Sequence, residues 1–297
     1  MSKYFYGLKK KTFDSRDEYY HFNKFFKKVE KVPDTIDLES NMPAVNDQGN
    51  LGSCTWNSTP EAMEYYVISG SLVPTPNPIP PSPSNNSCLT SFLSFLFPKK
   101  KELKDANNYT PLSRLFGYYL TRELEGTVNQ DSGCELRDCM KIAQQGVCAE
   151  SFWPYDISKY AVKPSQEAYN NIFWKISTYH TLSDPNNIGT NNLQNIYQAL
   201  ALGNPIIFGF TVYSSFESDQ VATTGIMPMP QYGEEILGGH AVVCIGCEPG
   251  YLKIRNSWGT NWGLPKNPGD FLMPIQYLSH FDQDGNLSVS DLWVIQS

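Results

Sequence analysis

Apolar residues recur at different spacings in the two halves of the chain, and the spacing predicts different secondary structure. In residues 112–126 and 136–146 they recur every three to four positions, as on one face of a helix, and Gly146 follows as a helix stop. Residues 54–69 also have helical character. From about residue 172 onward, runs rich in β-branched and aromatic residues alternate with turn residues. The pattern predicts an α+β protein with its helices first and its strands later.

A proline-rich stretch interrupts the helical half of the chain. Six prolines lie between positions 74 and 83. Each proline lacks a backbone N–H, so this stretch cannot form a helix or a central strand. We expect residues 71–108 to form a surface insertion.

The overall composition indicates an ordinary globular protein. The chain has 297 residues, 40% of them hydrophobic, which is enough to bury a sizeable core. Its net charge of −7 argues against general nucleic-acid binding. The longest apolar run outside the predicted strands, residues 91–97, is too short to span a bilayer, and the N-terminus lacks the apolar stretch of a secretory signal. We expect a cytoplasmic protein with no membrane span, or one packaged in a virion if its source is viral.

The N-terminal residues differ in charge from the remainder. Residues 1–31 carry nine basic and four acidic side chains, a net of +5, which leaves 14 basic and 26 acidic side chains in residues 32–297. This split predicts a basic N-terminal arm that contacts an acidic body within the same molecule. A solvated tail, or an arm that binds nucleic acid or a membrane surface, is the alternative interpretation.

The cysteine pattern favours buried thiols over a metal site. Seven cysteines leave at least one unpaired. Cys244 and Cys247 lie in a predicted strand, where residues three apart point to opposite faces. Cys134 and Cys139 are five apart in a predicted helix, which disfavours a bond between them. We therefore expect neither a metal nor another cofactor.

One cysteine has the setting of a nucleophile. Cys54 begins a predicted helix after Gly52 and Ser53, so the positive end of the helix dipole would face its sulfur and favour the thiolate. The surrounding sequence QGNLGSCTW, residues 48–56, resembles the nucleophile segment of papain-like cysteine peptidases. That resemblance implies that Gln48, six residues before the cysteine, donates its amide to the developing oxyanion.

Two later motifs supply the partners that the resemblance requires. GGHAVVCIGC resembles the segment of the family's histidine, which would be His240, and RNSWGTNWG supplies Asn256. The resemblance implies that the Asn256 side-chain oxygen orients the His240 ring and that Trp258 shields their contact from water. The motifs also imply residues that line the substrate site: Gly52, Ser53, Asp131, Ser132, Gly133, Gly239, Ala241 and Trp258.

The likeness covers most of residues 32–297 and is greatest to the prokaryotic and viral branch of the family. Two departures are Leu51, where the family usually has a cysteine, and Thr55, which separates Cys54 from the aromatic residue. The excess of lysine over arginine, 18 to 5, suggests an AT-rich genome such as that of a giant virus related to mimivirus.

The resemblance implies a fold and an activity. The fold is the two-lobed papain architecture, with a helical lobe at about 48–156, an antiparallel β-barrel-like lobe at about 157–297 and the active site between them. The activity is a cysteine endopeptidase that acts on proteins or peptides through a thioester, made as a latent zymogen restrained by residues 1–31. A catalytically silent papain-fold scaffold, virion or binding protein is the alternative.

Overall fold

A computed structural model of the protein describes residues 2–10, 14, 17–19, 29–75, 109–183 and 190–297. Most of the predicted insertion, residues 71–108, lies outside these ranges. The described residues form six α-helices: α1 (Thr55–Ile68), α2 (Arg114–Leu124), α3 (Leu136–Gln145), α4 (Gln166–Asn170), α5 (Thr190–Ala201) and α6 (Asp219–Thr224). None of them is long and apolar enough to cross a bilayer.

The first three helices occupy the segments that the apolar spacing predicts. The Ser113 hydroxyl caps α2 by accepting a hydrogen bond from the Phe116 N–H. Helix α3 ends at Gly146, whose φ of +111° only glycine adopts readily. The helix was predicted to include Cys134, and this was wrong because α3 begins two residues later. Cys134 and Cys139 are both buried and free, and their thiols are hydrogen-bonded to each other.

The second half of the chain supplies nearly all of an antiparallel sheet. Its strands are β1 (Ile36–Asp37), β2 (Thr178–Thr181), β3 (Ile206–Tyr213), β4 (Ile236–Glu248), β5 (Tyr251–Arg255), β6 (Asp270–Pro274) and β7 (Val289–Gln296). Their order is β2-β7-β3-β4-β5-β6, and β1 adds to the far end of β4. The prediction of an α+β fold is confirmed.

Alternation along β3 and β4 separates two hydrophobic clusters. Ile207 and Val243 face the helices α1, α2 and α3, whereas Phe208 and Val242 face a second cluster with α5. Successive side chains of a strand point to opposite sides of a sheet. The central strands are therefore buried on both faces, which explains why their sequences are almost continuously apolar.

A buried ion network fixes the end of β5. Arg255 donates to the Asp270 carboxylate at 2.5 Å, to the Pro43 carbonyl at 2.8 Å and to the Glu39 carboxylate at 2.7 Å. Lys253 adds ion pairs with Asp37 at 3.1 Å and with Glu39 at 3.2 Å. The network joins β5 and β6 to residues 37–43. It lies directly before Asn256, so the position of that residue depends on it.

Helix α1 carries a buried carboxylate that anchors a neighbouring loop. Glu64 is 3% exposed, and its Oε1 accepts a hydrogen bond from the Leu112 N–H at 2.6 Å. Burial raises the pKa of Glu64 to about 8, although the Leu112 N–H opposes the shift. Folding therefore favours the protonated carboxyl. This contribution to stability is complete below the unfolded pKa and is lost as the pH rises through the folded value.

We predict that Glu64→Gln makes stability less dependent on pH. Glutamine keeps an acceptor for the Leu112 N–H but has no proton to lose. The free energy of unfolding in urea should fall between pH 5 and pH 8 in the wild-type chain, and fall distinctly less in the variant. Glu123→Gln, at an exposed position of α2, is the matched control and should behave as wild type. Equal slopes for all three proteins would contradict the assignment.

Candidate active site

Cys54 immediately precedes helix α1 and is fully buried. The preceding loop is held by two contacts from elsewhere in the chain. The Gly52 N–H donates to both oxygens of the Asp131 carboxylate at 2.9 and 3.1 Å, and the Ser53 hydroxyl lies 2.5 Å from the Tyr155 hydroxyl. These contacts fix the backbone that leads to the sulfur.

Strand β4 brings His240 to the same place. The backbone N–H of the next residue, Ala241, faces the Cys54 sulfur and lowers the pKa of its thiol. Asn256 follows the adjacent strand β5, and its Oδ1 lies 2.8 Å from His240 Nε2. Since Oδ1 can only accept, Nε2 carries the proton and Nδ1 is left unprotonated. Trp258 stacks over the histidine ring with centroids 5.0 Å apart.

Gln48 lies in a loop that is tied to the Asn256 segment. Its backbone N–H donates to the Ser257 carbonyl at 2.9 Å, and its side-chain Oε1 accepts from the Ser257 hydroxyl at 2.8 Å. A serine hydroxyl can donate or accept, so the orientation of the amide follows from its other end, which faces two carbonyls that can only accept. The Nε2 group therefore points the other way and donates to the carbonyls of Phe5 at 2.9 Å and Leu51 at 3.0 Å.

The N-terminal segment, residues 2–10, lies across this site. The Leu8 N–H donates to the Gly239 carbonyl at 3.1 Å. The Gly7 carbonyl accepts from the Cys134 N–H at 2.8 Å, and the Lys9 N–H donates to the Cys134 carbonyl at 3.0 Å. The Gly7 N–H faces the Cys54 sulfur. A Cβ atom on Gly7 would lie 1.6 Å from the Gly52 carbonyl oxygen, so only glycine can occupy this point.

The first half of the N-terminal segment covers the histidine. Tyr4 stacks on Trp258 with centroids 3.7 Å apart, and the Tyr6 ring packs edge-on against His240 at 5.8 Å. Glu217, at the end of the 3-10 helix Ser214–Glu217, accepts hydrogen bonds from the Tyr6 hydroxyl at 2.5 Å, the Lys3 N–H at 2.7 Å and the Ser2 hydroxyl. The segment is thus fixed at both ends of the site.

Charge contacts between the arm and the body run in both directions. Lys9 pairs with Glu125 at 2.5 Å and Lys3 with Asp219 at 3.0 Å, as the basic arm predicts. However, Asp17 of the arm binds Arg137 of the body at 2.6 Å. The opposite net charges of the arm and the body therefore account for only some of the ion pairs between them.

Burial decides the protonation state of the site. Burial raises the pKa of the Cys54 thiol to about 11, although the N–H groups of Ala241, Gly7 and Thr55 oppose the shift. Burial likewise lowers the pKa of His240 to about 4 against the effect of its bond to Asn256. The helix N-terminus acts in the direction expected from the sequence, but burial outweighs it. The covered site therefore holds a neutral thiol and a neutral imidazole at pH 7.

The eight residues expected to line the substrate site differ in their surroundings. Gly52, Gly133, Gly239 and Trp258 contact the N-terminal segment, and Ala241 contacts the Cys54 sulfur. The side chains of the remaining three form hydrogen bonds within the body: Asp131 with the Gly52 N–H, Ser53 with the Tyr155 hydroxyl and Ser132 with the Thr127 hydroxyl. Their contact with substrate stays a prediction.

Sequence reasoning missed three residues that shape the site. Ser257 holds Gln48 and lies inside the motif that supplied Asn256, and Tyr155 holds Ser53 from a part of the chain that no motif covered. Glu217 follows Phe216 in an otherwise unremarked stretch, and no sequence signal marks it.

Comparison with known proteins gives a consistent result. The sequence profile of the papain family cysteine protease domain matches residues 127–266, which include His240 and Asn256 but not Cys54. An uncharacterized peptidase C1-like protein of Acanthamoeba polyphaga mimivirus is 36% identical over 255 residues, which are 84% of this chain and 68% of the relative.

Solved structures agree with these sequence matches. Xylellain, a cysteine protease from Xylella fastidiosa, superposes with a TM-score of 0.73 at 29% identity, over 99% of this chain and 97% of xylellain. Procathepsin B S9 from Trypanosoma congolense shares the fold, with a TM-score of 0.63 at 13% identity over 99% of this chain and 87% of its own. With the fold, the site and these relatives in agreement, this chain belongs to the papain family of cysteine peptidases.

Proposed function

We propose that this peptidase cleaves internal peptide bonds through a thioester on Cys54, and that residues 2–10 keep it latent. The proposal is supported by the placement of four side chains: Cys54 at the start of α1, which packs on β4, His240 on β4, Asn256 on the His240 ring, and Gln48 on Ser257, the residue after Asn256. Their order and geometry suit acyl transfer to a thiol and need no cofactor.

The proposed reaction follows from the positions of these groups. His240 Nδ1 takes the proton of Cys54, and the sulfur attacks the substrate carbonyl carbon. The Gln48 amide donates to the oxygen that becomes negative. The intermediate collapses as His240 returns its proton to the leaving amine, which leaves a thioester. Water then attacks with His240 as base, and the acid product and free thiol are restored.

Two contacts support latency. The Phe5 carbonyl already accepts the hydrogen bond from Gln48 Nε2 that the oxyanion would need. Gly7 packs against the Gly52 carbonyl and its N–H faces the Cys54 sulfur, so a substrate carbonyl cannot approach the sulfur while the segment is in place. The segment thus occupies the positions of both the reacting carbon and its stabilising donor.

The direction of the segment supports resistance to self-cleavage. Residues 4–6 lie on the side of His240 and Trp258, where the leaving amine must receive its proton, and residues 7–9 lie beside Cys134. In a substrate the acyl part precedes the leaving amine along the chain. The segment crosses the site in the opposite order, so its peptide bonds are not aligned for attack.

Release of the segment also changes the chemistry of the site. With water readmitted, burial no longer raises the pKa of Cys54 or lowers that of His240. The two values move towards each other, and transfer of the proton from sulfur to imidazole becomes easier. Uncovering therefore activates the nucleophile as well as opening the way to it.

The first prediction for this function concerns Gly7. Replacing it with alanine places a methyl group against the Gly52 carbonyl, which should expel the segment without changing any charge. Full-length Gly7→Ala should therefore hydrolyse a fluorogenic dipeptide amide at pH 7 at least roughly tenfold faster than wild type, which corresponds to about 1.4 kcal/mol of lost docking.

Phe5→Ala is the control for this comparison. It removes a larger side chain from the same segment, but that side chain is 46% exposed, and its backbone carbonyl remains. Its rate should stay close to that of wild type. A folded Gly7→Ala protein that is no faster than Phe5→Ala would show that the segment is not inhibitory.

The second prediction concerns the catalytic groups, tested in the Gly7→Ala chain. Adding Cys54→Ala should abolish turnover while leaving the fold intact, because it removes only the nucleophile. Adding Gln48→Ala should lower kcat by roughly 10²-fold with little change in KM, since its donor acts mainly in the transition state. Turnover that survives loss of Cys54, or a change confined to KM in Gln48→Ala, would contradict these roles.

The complete burial of Cys54 and His240 also favours one other function, that of a silent scaffold or virion component. The mimivirus relative makes a viral source reasonable for such a role. An epoxide inhibitor that alkylates thiolates distinguishes the two. Rapid labelling of Cys54 in Gly7→Ala supports the peptidase, whereas a folded protein that stays unlabelled supports the scaffold.

A further inference from the structure

Glu217 has all its hydrogen-bond partners in the N-terminal segment. Among the residues that the structure describes, the donors to its carboxylate are the Ser2 hydroxyl, the Lys3 N–H and the Tyr6 hydroxyl. Glu217 is only 9% exposed under this cover. When the segment leaves, the carboxylate loses these donors and is opened to solvent beside the catalytic groups. A ligand that replaces the segment can then satisfy it.

The position of Glu217 shows which part of a substrate would reach it. Tyr6 bridges the gap, with its ring against His240 and its hydroxyl on Glu217. The neighbouring Phe216 packs against Trp258 at 5.4 Å. His240 delivers a proton to the leaving amine, so the groups around it contact the part of the substrate that follows the cleaved bond.

The surroundings of Glu217 favour a positive charge. Asp219 lies two residues away, and the Lys3 ammonium already sits 3.0 Å from the Asp219 carboxylate and 3.2 Å from the Glu217 carbonyl. Within the described part of the body, no lysine or arginine forms an ion pair with either residue. A cationic side chain would therefore make a charge-assisted hydrogen bond with Glu217, and its aliphatic stem could lie on the Trp258 face that Tyr4 vacates.

We propose that Glu217 is a specificity-determining residue that selects substrates with lysine or arginine at the first or second position after the cleaved bond. This proposal rests on the proposed function, because the subsite exists only when the N-terminal segment has left an active peptidase. The segment itself would then hold the subsite closed with its own donors.

The test uses the full-length Gly7→Ala chain and internally quenched peptides. The peptides are identical except for lysine or norleucine at the first or second position after the cleaved bond. Norleucine keeps the aliphatic stem and lacks the ammonium group. We expect kcat/KM to be about tenfold higher for one of the lysine peptides, as for a single hydrogen bond to a charged group. Adding Glu217→Gln should bring this ratio close to one.

Glu248→Gln is the matched control. It removes the same charge from the exposed far end of β4, and the preference for lysine should persist. A lysine ratio near one at both positions in the parent, or a ratio that Glu217→Gln does not change, would overturn the subsite while leaving the peptidase in place. Failure to cleave any of the peptides, with Cys54 unlabelled, would overturn the proposed function itself. If Gly7→Ala does not fold, Tyr4→Ala combined with Tyr6→Ala frees the segment instead.

Discussion

The packing of helix α1 against strand β4 is the contact on which the site depends. The helix supplies the sulfur and the strand supplies the imidazole, and the two meet because the residue after His240 is only alanine. Its N–H reaches the Cys54 sulfur, and its methyl group joins the core between helix and sheet. A larger side chain here would separate the two elements. The chemistry of the site is therefore set by the same close approach that completes the core.

Other contacts transmit this arrangement to the rest of the site. Strand β5 pairs with β4 and carries Asn256 to the histidine, and Arg255 anchors the end of that strand through its buried ion network. Ser257 then binds Gln48, which belongs to the loop before α1. These contacts therefore form a closed series that begins and ends at helix α1. A buried charge such as Arg255 loses much stabilising free energy when its partners are removed. Rearranging these contacts one at a time is therefore unfavourable.

Much of this organisation could be predicted from the sequence. The apolar spacing located α1, α2, α3 and the strand-rich half, and Gly146 marked a true helix end. The motifs indicated His240 and Asn256, whose side chains are in contact, and the catalytic roles of these two residues, Cys54 and Gln48 stay predictions. Cys134 was placed in a helix although the three-to-four spacing begins only at residue 136, where the helix does begin, so the error came from extending the helix beyond its apolar pattern.

Contacts between distant segments could not be predicted in the same way. The environment of Glu217 depends on a chain segment more than 200 residues away, and no local pattern encodes such a meeting. The protonation state of Cys54 is a similar case. A helix N-terminus favours the thiolate, but burial of the sulfur among segments distant in the sequence outweighs that effect.

The place of this cover along the chain has a consequence for biosynthesis. A ribosome makes residues 2–10 before Cys54 and long before His240, so the segment is already present when the β-sheet first closes over the helix. Because it is attached to the same polypeptide, it encounters the new site at a high local concentration that does not depend on how much protein the cell contains. A separate inhibitor would have to be made in step with the enzyme. Under the proposed latency, the segment and the enzyme are produced in a fixed one-to-one ratio by a single message.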